Sequence, residues 1–245
     1  DQFRDKTVLL NCDDPSTSAF FKFFESNFAA YGLKRLIATH YRQNSGPSYK
    51  LDVLPHHIVN SRLRDPDECR YELNGNGDFR SPECIDLLEQ ADIVVTNPPF
   101  SLFREFISVL MEHDKDFIVI GPENAVTYKD TFSYIRDERM WLGYTIPKEF
   151  VQPDGSVKKF GNICWYTNLD IPKRHVELPL FRKYTPKEYP TYDNADAINV
   201  ERVSDIPEDY FGVMGVPITI LHHINPSQFT IVGRDRAMSY DKKRG

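Results

Sequence analysis

The first 140 residues alternate between short apolar runs and longer amphipathic stretches. An apolar run bounded by turn residues predicts a buried strand, whereas apolar positions repeating every three to four residues predict a helix. The predicted strands are Thr7–Cys12, Arg35–Tyr41, Cys69–Leu73, Asp92–Thr96 and Asp116–Gly121. The predicted helices are a first one capped by Ser16 and running to about Tyr31, then Pro82–Gln90 and Ser101–His113. Strands that alternate with helices predict an α/β fold with a doubly wound, mostly parallel sheet.

Turn residues set the boundaries of these elements. Ser16 is a residue type that commonly caps a helix, and Gly32 is placed to end the same helix. The loop Asn44–Ser48 is predicted to turn a hairpin into a further strand, Tyr49–Leu54. In such a sheet, ligand contacts are expected at the carboxyl ends of the strands.

Beyond about residue 140 the pattern changes. Between residues 170 and 210 the chain is rich in Pro, Tyr and charged residues and has little periodicity. The strands predicted in this half are Trp141–Ile146, Glu149–Gln152, Gly161–Asn168, Gly212–Leu221 and Gln228–Val232, with a hairpin turn at Pro153–Gly155. This change predicts a smaller C-terminal region of mixed or β structure.

Composition limits the class of protein. A chain of 245 residues that is 40% hydrophobic can bury a substantial core. No apolar run is long enough to cross a bilayer and no basic-then-apolar signal precedes the first strand, so a cytoplasmic location is expected. The four cysteines lack Cys-x-x-Cys spacing, and the side chains of each adjacent histidine pair diverge in extended structure, so no metal site is predicted.

Charge is distributed unevenly along the chain. The net charge is −6, with 16 basic and 23 acidic residues up to residue 145 and 14 basic against 13 acidic residues after it. A polyanion would therefore be held by local basic patches in the second half. For any single patch, ordinary solvated surface is an equally good interpretation.

The strand Asp92–Thr96 leads directly into Asn97-Pro98-Pro99-Phe100. The two prolines stiffen this segment and have no N–H, so it offers carbonyl oxygens and the Asn97 amide at a strand end. Acceptors of this kind suit an exocyclic amine, and the Phe100 ring could stack on the same planar ligand. The alternative is a sharp strand-to-helix turn in which Phe100 packs inward, although the tetrapeptide arises by chance in about one chain per thousand of this length.

Taken with four further segments, this motif resembles the adenine-specific DNA methyltransferases of the EcoRI type. The similar segments, which span nearly the whole chain, are Asn97–Phe103, Asn11–Pro15, Gly77–Phe79, Gly161–Asn168 and Val213–Thr219. The motif is typical of amino-group methyltransferases in general, and the flanking segments narrow the resemblance to this family.

The resemblance implies a Rossmann-like methyltransferase fold and S-adenosylmethionine as cofactor. We expect residues 1–168 to form the catalytic domain and residues 169–245 to recognise the target. The implied substrate is double-stranded DNA with a specific short site, in a restriction-modification system or as a solitary methylase. A cognate restriction endonuclease is then an expected partner, no membrane partner is expected, and monomer and dimer remain alternatives.

Catalysis is expected at Asn97, Pro98, Pro99 and Phe100. The Asn97 side-chain oxygen and the Pro98 carbonyl would bind adenine N6, and Phe100 would stack on a base flipped out of the duplex. Trp165 or Tyr166 could form the opposite wall, although core packing is the more plausible role for either.

Cofactor contacts are expected from Asn11, Asp13, Asp14 and Pro15 after the first strand and from Asp78 and Phe79 after the third. By the resemblance, Asp78 would accept from the cofactor adenine amine, with a turn-capping role as its alternative. Either Asp13 or Asp14 could instead cap the first helix.

Two features depart from the general methyltransferase pattern. The loop after the first strand has no glycine, and Thr39, His40 and Tyr41 stand where a ribose-binding acid is expected. The alternatives that remain are methylation of RNA adenine or of cytosine N4, and an inactive nucleic-acid-binding module.

Overall fold

The computed structural model describes residues 2–12, 14–43, 46–151, 155–159 and 161–234. Its α-helices are α1 Ala19–Tyr31, α2 Pro82–Gln90, α3 Phe103–Glu112 and α4 Lys129–Arg136. Its strands are β1 Thr7–Leu10, β2 Arg35–Thr39, β3 Tyr49–Val53, β4 Ile58–Val59, β5 Arg62–Leu63, β6 Arg70–Glu72, β7 Ile93–Thr96, β8 Asp116–Pro122, β9 Trp141–Leu142, β10 Glu149–Val151, β11 Val157–Lys159, β12 Ile163–Thr167, β13 Ile198–Asn199 and β14 Met214–Gly215. Short 3-10 helices lie at Pro55–His57, Pro66–Cys69, Phe100–Leu102, Glu123–Thr127, Pro172–His175, Val203–Asp205 and Ile218–His222.

The chain divides into two compact units. The first contains Asp1–Ser133 and Gly143–Leu169, and the second contains Tyr134–Leu142 and Asp170–Gly245. The assignment of catalysis to residues 1–168 and of target recognition to residues 169–245 stays a prediction.

The first unit is built on a mixed sheet with the strand order β6-β3-β2-β1-β7-β8-β12. The central strands β2, β1, β7 and β8 are parallel. The outer strands β3, β6 and β12 run antiparallel to their neighbours. The α/β prediction is confirmed, and the carboxyl ends of the four central strands meet at one edge of the sheet.

Helix α1 covers one face of this sheet. Phe21, Phe24 and Phe28 are buried against a cluster that includes Val8 and Leu36. Because side chains alternate along a strand, Leu9 and Ile37 face the other side of the sheet. All four residues of β7 are buried, as expected for a central strand with both faces covered.

Several predicted boundaries and placements were wrong. Ser18, not Ser16, caps α1, because its side chain accepts from the Phe21 N–H at 3.1 Å. The helix ends as predicted at Tyr31, before Gly32 in the left-handed conformation. The third predicted strand is present as β6, but it lies at the sheet edge and pairs antiparallel with β3.

Most of the strands predicted beyond residue 140 are shorter than expected or absent. In place of Gly212–Leu221 there is the two-residue β14 followed by a 3-10 helix. Gln228–Val232 is not a strand, because the amides of Gln228 and Phe229 both donate to the Asn225 carbonyl and form a turn. The predicted strand at residue 141 is shortened to β9, whereas β12 lies where Gly161–Asn168 was predicted. Residues 149–151 pair with residues 157–159, where no strand was predicted, while β12 pairs with β8 instead. Gln152, Pro153 and Asp154 of the predicted strand end and turn lie outside the described residues.

Gly121 in β8 permits close packing beside the start of α3. A Cβ at this position would lie 2.2 Å from the Phe103 ring, which is itself fully buried. We therefore expect Gly121→Ala to lower the free energy of unfolding by about 1–3 kcal/mol through overpacking. Chemical denaturation measures the change.

Gly75→Ala is the matched control, because a Cβ there has no atom within 4 Å. Its effect should stay within about 0.5 kcal/mol of the parent. Equal stability of the two variants would show that Phe103 can move aside without cost.

Candidate active site

The Asn-Pro-Pro-Phe segment joins the central strand β7 to helix α3. Asn97, Pro98 and Pro99 follow the last strand residue without regular structure, and Phe100 begins the 3-10 helix that leads into α3. The segment therefore lies at the edge where the parallel strands end, as the sequence predicted.

The segment offers acceptors that the rest of the described chain does not use. Asn97 is exposed and its side chain makes no hydrogen bond to any described residue. The Pro99 carbonyl accepts from the Leu102 amide at 2.9 Å, whereas no described residue donates to the carbonyl of Pro98. Since the prolines bring no N–H of their own, the only N–H groups of the segment belong to Asn97 and Phe100, and the Asn97 side-chain oxygen and the Pro98 carbonyl are its open acceptors among the described residues.

Of the three rings predicted to flank the substrate base, one is accessible and two are packed against other residues. Phe100 is 39% exposed, so its ring is available to a ligand. Tyr166 is fully buried, lies 4.9 Å from the Phe103 ring and donates to the Pro122 carbonyl at 2.8 Å. Burial raises the pKa of this phenol. Trp165, on the other face of β12, packs edge-on against Phe20 at 6.0 Å.

The ends of β1 and β7 are joined by one buried hydrogen bond. The Thr96 hydroxyl donates to the Asn11 carbonyl, and both residues are buried. The Asn11 side-chain oxygen is also buried, yet no described residue donates to it. A buried acceptor without a donor is costly, and a bound ligand is one way to satisfy it.

Cys12 adopts the conformation that a glycine would be expected to provide. Its φ is 67°, in the left-handed region that residues other than Gly, Asn and Asp rarely adopt. The first loop therefore has the backbone conformation for which a glycine was expected. The backbone turns sharply here, but a cysteine makes the turn.

The Asp14 carboxylate organises the turn ahead of α1. Its Oδ1 accepts from the amide and hydroxyl of Ser16 at 2.9 and 2.8 Å and from the Tyr49 hydroxyl at 3.1 Å. Partial burial alone would raise the pKa of Asp14, but these hydrogen bonds and the nearby His40 lower it overall. Pro15 is buried beside it, and the predicted contact Asp13 lies outside the described residues.

The end of β2 carries a second unpartnered buried atom. The Thr39 hydroxyl is buried and has no hydrogen-bond partner among the described residues. Leu9 pairs with Ile37, so continuing this register by two residues brings Asn11 beside Thr39 on the same face of the sheet. His40, the next residue, stacks on Tyr49 with ring centroids 5.1 Å apart.

The loop containing Asp78 packs against this same strand end. Gly77 has a φ of 81°, and a Cβ there would lie 2.0 Å from the His40 carbonyl oxygen. The Arg42 amide donates to the Asn76 carbonyl at 2.8 Å. Only glycine fits such an approach, so the loop after β6 reaches the carboxyl end of β2 even though β6 lies at the sheet edge.

The Asp78 carboxylate is paired with Arg80. Oδ1 accepts from the backbone amide and Nε of Arg80, both at 2.9 Å, and Oδ2 accepts from Nη2 at 2.7 Å. These guanidinium hydrogen bonds lower the pKa of Asp78 and outweigh its partial burial. The turn-capping role is thus present, and cofactor binding stays a prediction that the remaining lone pairs of the carboxylate allow.

Phe79 is buried and packs edge-on against Phe106 of α3, with ring centroids 5.0 Å apart. This contact ties the Asp78 loop to the helix that follows the Asn97 motif. A cofactor contact of Phe79 also stays a prediction.

Three features of the site were not anticipated from the sequence. Thr39 was noted only where an acid was missing, although a polar residue at the end of an apolar strand was its signal. Arg80, two residues after Asp78, was overlooked as its partner. The positive φ of Cys12 has no local signal, because cysteine does not favour it.

The described residues form neither a membrane-spanning helix nor a metal-binding cluster. In the described part of the chain, no helix combines the length and apolar character needed to span a bilayer. Within the same residues, no group of three or more His, Cys, Asp and Glu side chains is arranged to hold a metal ion.

Nearly the whole chain is similar to one family of known proteins. Residues 1–244 match the family described as "Adenine-specific methyltransferase EcoRI". No solved structure matches the chain.

Three bacterial proteins are similar to this chain along most of their length. The chain is 43% identical to the Type II methyltransferase M.EcoRI of Escherichia coli, over 95% of this chain and 79% of that protein. It is 40% identical to M.MpnI of Mycoplasma pneumoniae, over 94% of this chain and 75% of that one. It is 38% identical to M.MgeORF184P of Mycoplasma genitalium, over 94% and 76%.

The conformation of Cys12 predicts an uncommon effect of glycine. A left-handed φ costs a side chain about 1–2 kcal/mol, whereas glycine loses about 0.5–1 kcal/mol of chain entropy. We expect Cys12→Gly to exceed Cys12→Ala in free energy of unfolding by about 0.5–1 kcal/mol. Both variants lose the thiol, so chemical denaturation of the pair isolates the backbone effect. An alanine variant as stable as the glycine variant would contradict the strain.

Proposed function

Because this chain belongs to the family of adenine-specific methyltransferases of the EcoRI type, we propose that it transfers the methyl group of S-adenosylmethionine to N6 of an adenine in a specific DNA site. The observation that carries the mechanism is the exposed Asn97 amide at the carboxyl end of the central strand, which makes no hydrogen bond to any described residue.

The chemical problem is that adenine N6 is a poor nucleophile, because its lone pair is delocalised into the ring. The Asn97 side-chain oxygen and the Pro98 carbonyl accept hydrogen bonds from the two N6–H groups. This favours a more tetrahedral nitrogen whose lone pair is localised. The chain acts by positioning and electrostatics, without a covalent enzyme intermediate.

The rigidity of the segment supports this role. Each proline ring fixes its own φ, and Pro99 restricts Pro98 further. Thr96 anchors the preceding strand to β1 through its hydroxyl, and Phe103 anchors the following helix in the core. Acceptors that are held in place before the substrate binds need little reorganisation during the reaction.

Adenine N6 lies inside the duplex, so the base has to leave the stack to reach these acceptors. Phe100, whose ring is partly exposed and adjoins the acceptors in sequence, stacks on the extruded base. Tyr166 is excluded from this role by its complete burial.

The residues at the strand ends fit S-adenosylmethionine. The side-chain oxygens of Asn11 and Thr39, which have no partner among the described residues, are available to polar groups of the cofactor. The carboxylates of Asp14 and Asp78 are available to its cationic or amine donors. Asp13 and Pro15 flank Asp14, and Phe79 adjoins Asp78. When bound, the cofactor supplies an electrophilic methyl group on a sulfonium.

Target recognition is assigned to residues 169–245. The basic residues Lys173, Arg174 and His175 are located here, although Arg174 is paired with Glu138 at 2.8 Å and His175 with Asp170 at 2.6 Å. The setting is a restriction-modification system or a solitary methylase, and an endonuclease partner belongs to the first of these. Mass spectrometry of nucleosides from methylated DNA and RNA distinguishes N6-adenine from the RNA and N4-cytosine alternatives.

Removal of the Asn97 acceptor should abolish catalysis selectively. We expect Asn97→Ala to lower kcat for DNA methylation at least about 100-fold, the range seen when one transition-state hydrogen bond is removed. Binding of S-adenosylhomocysteine, measured by calorimetry, should stay close to that of the parent.

Asn27→Ala on α1 is the control and should retain parental activity. Full turnover by Asn97→Ala would exclude the proposed role of its amide. Absence of cofactor binding in the parent itself would favour an inactive nucleic-acid-binding module.

Thr39→Val tests the cofactor site with a nearly isosteric change. If the Thr39 hydroxyl binds the cofactor, affinity for S-adenosylhomocysteine should fall roughly 3- to 10-fold, the worth of one hydrogen bond. Stability without ligand should hold or rise, because the change removes a buried hydroxyl that has no partner among the described residues.

Thr7→Val provides the comparison, since Thr7 is buried at the amino end of β1, away from the proposed site. Its affinity should be unchanged. A parental affinity in Thr39→Val would remove Thr39 from the cofactor site.

A further inference from the structure

A two-stranded ribbon stands apart from the main sheet of the first unit. It consists of β10 and β11, residues 149–151 and 157–159, which pair antiparallel as a separate sheet. All three side chains of β11 are exposed, Val157 at 57%. The ribbon therefore has side chains in solvent on both of its faces.

The ribbon is rooted at the edge of the sheet that carries Asn97. Thr96 pairs with Val119 of β8, and β8 continues to Pro122, where Ile163 begins the antiparallel strand β12. The Glu123 amide donates to the Asn162 carbonyl at 2.9 Å. Because β12 is antiparallel, the chain before it lies beyond the carboxyl end of β8, about 10 Å along the strand direction from Thr96.

The exposed charge of the ribbon is largely cationic. Lys148 precedes β10, and Lys158 and Lys159 are exposed on β11. Lys159 is 84% exposed and lies 3.6 Å from Glu149, an ion pair of the solvent-exposed kind that contributes about 0–1 kcal/mol. Such a pair is easily exchanged for a phosphate. In a chain of net charge −6, these lysines favour a polyanion at this place.

We propose that the ribbon contacts the DNA duplex beside the extruded adenine. A two-stranded ribbon is one of the two elements that fit the major groove, and lysines at its surface can reach phosphates on the groove walls. An isolated two-stranded sheet is marginally stable in water, and docking against DNA supplies the packing it lacks. The inference rests on the proposed function and adds a DNA contact outside residues 169–245.

Salt dependence of binding to DNA is the test. The parent and Lys158→Gln/Lys159→Gln are titrated into a short fluorescently labelled duplex at several KCl concentrations, with anisotropy as the readout. Each phosphate contact that is lost lowers the slope of log affinity against log salt by about one. We expect the double variant to lose about one to two from the slope, with unchanged affinity for S-adenosylhomocysteine.

The control is Lys22→Gln/Lys34→Gln, which removes one exposed lysine from α1 and one from the position just before β2. Its slope should equal that of the parent. The inference is overturned if the ribbon variant keeps the parental slope, if the control loses as much, or if the ribbon variant loses cofactor binding. A parent that fails to methylate DNA would instead refute the proposed function, and the two failures are therefore distinguishable.

Discussion

The site depends on the alignment of β1, β2, β7 and β8, whose parallel register ends all four strands at one edge. The buried hydrogen bond from Thr96 to the Asn11 carbonyl fixes the two central strand ends to each other. The loops that follow the strands begin at these ends, so the strand ends determine where the residues of the site lie. The Asn97 acceptors follow one strand, and the Asn11 side-chain oxygen, to which no described residue donates, follows the other.

The sequence predicted those parts of the site that local chemistry determines. Pro98 and Pro99 restrict the backbone whatever surrounds them, and α2 begins and ends as predicted because Ser81 caps it and Pro82 suits its first position. Membership of the family confirms the prediction of an adenine-specific DNA methyltransferase. Local signals suffice where one residue type has one conformational effect.

Features that depend on distant partners could not be predicted in this way. The position of β6 at the sheet edge follows from its antiparallel pairing with β3, which its own residues do not specify. Gln228–Val232 was wrong for a nearer reason: it has the composition of a strand, but the amides of Gln228 and Phe229 donate to the Asn225 carbonyl, three and four residues earlier. Cys12 adopts a conformation that its side chain disfavours, so the surrounding structure must impose it.

The chemical nature of the proposed acceptors limits what they can do with protons. The amide oxygen of Asn97 and the carbonyl of Pro98 are neutral and weakly basic, so they can orient N6 but cannot deprotonate it. The carboxylates of Asp14 and Asp78 have lowered pKa values and are already held by Ser16, Tyr49 and Arg80. In the proposed mechanism the proton therefore leaves N6 only after the new carbon–nitrogen bond has made that nitrogen acidic, and water suffices to accept it.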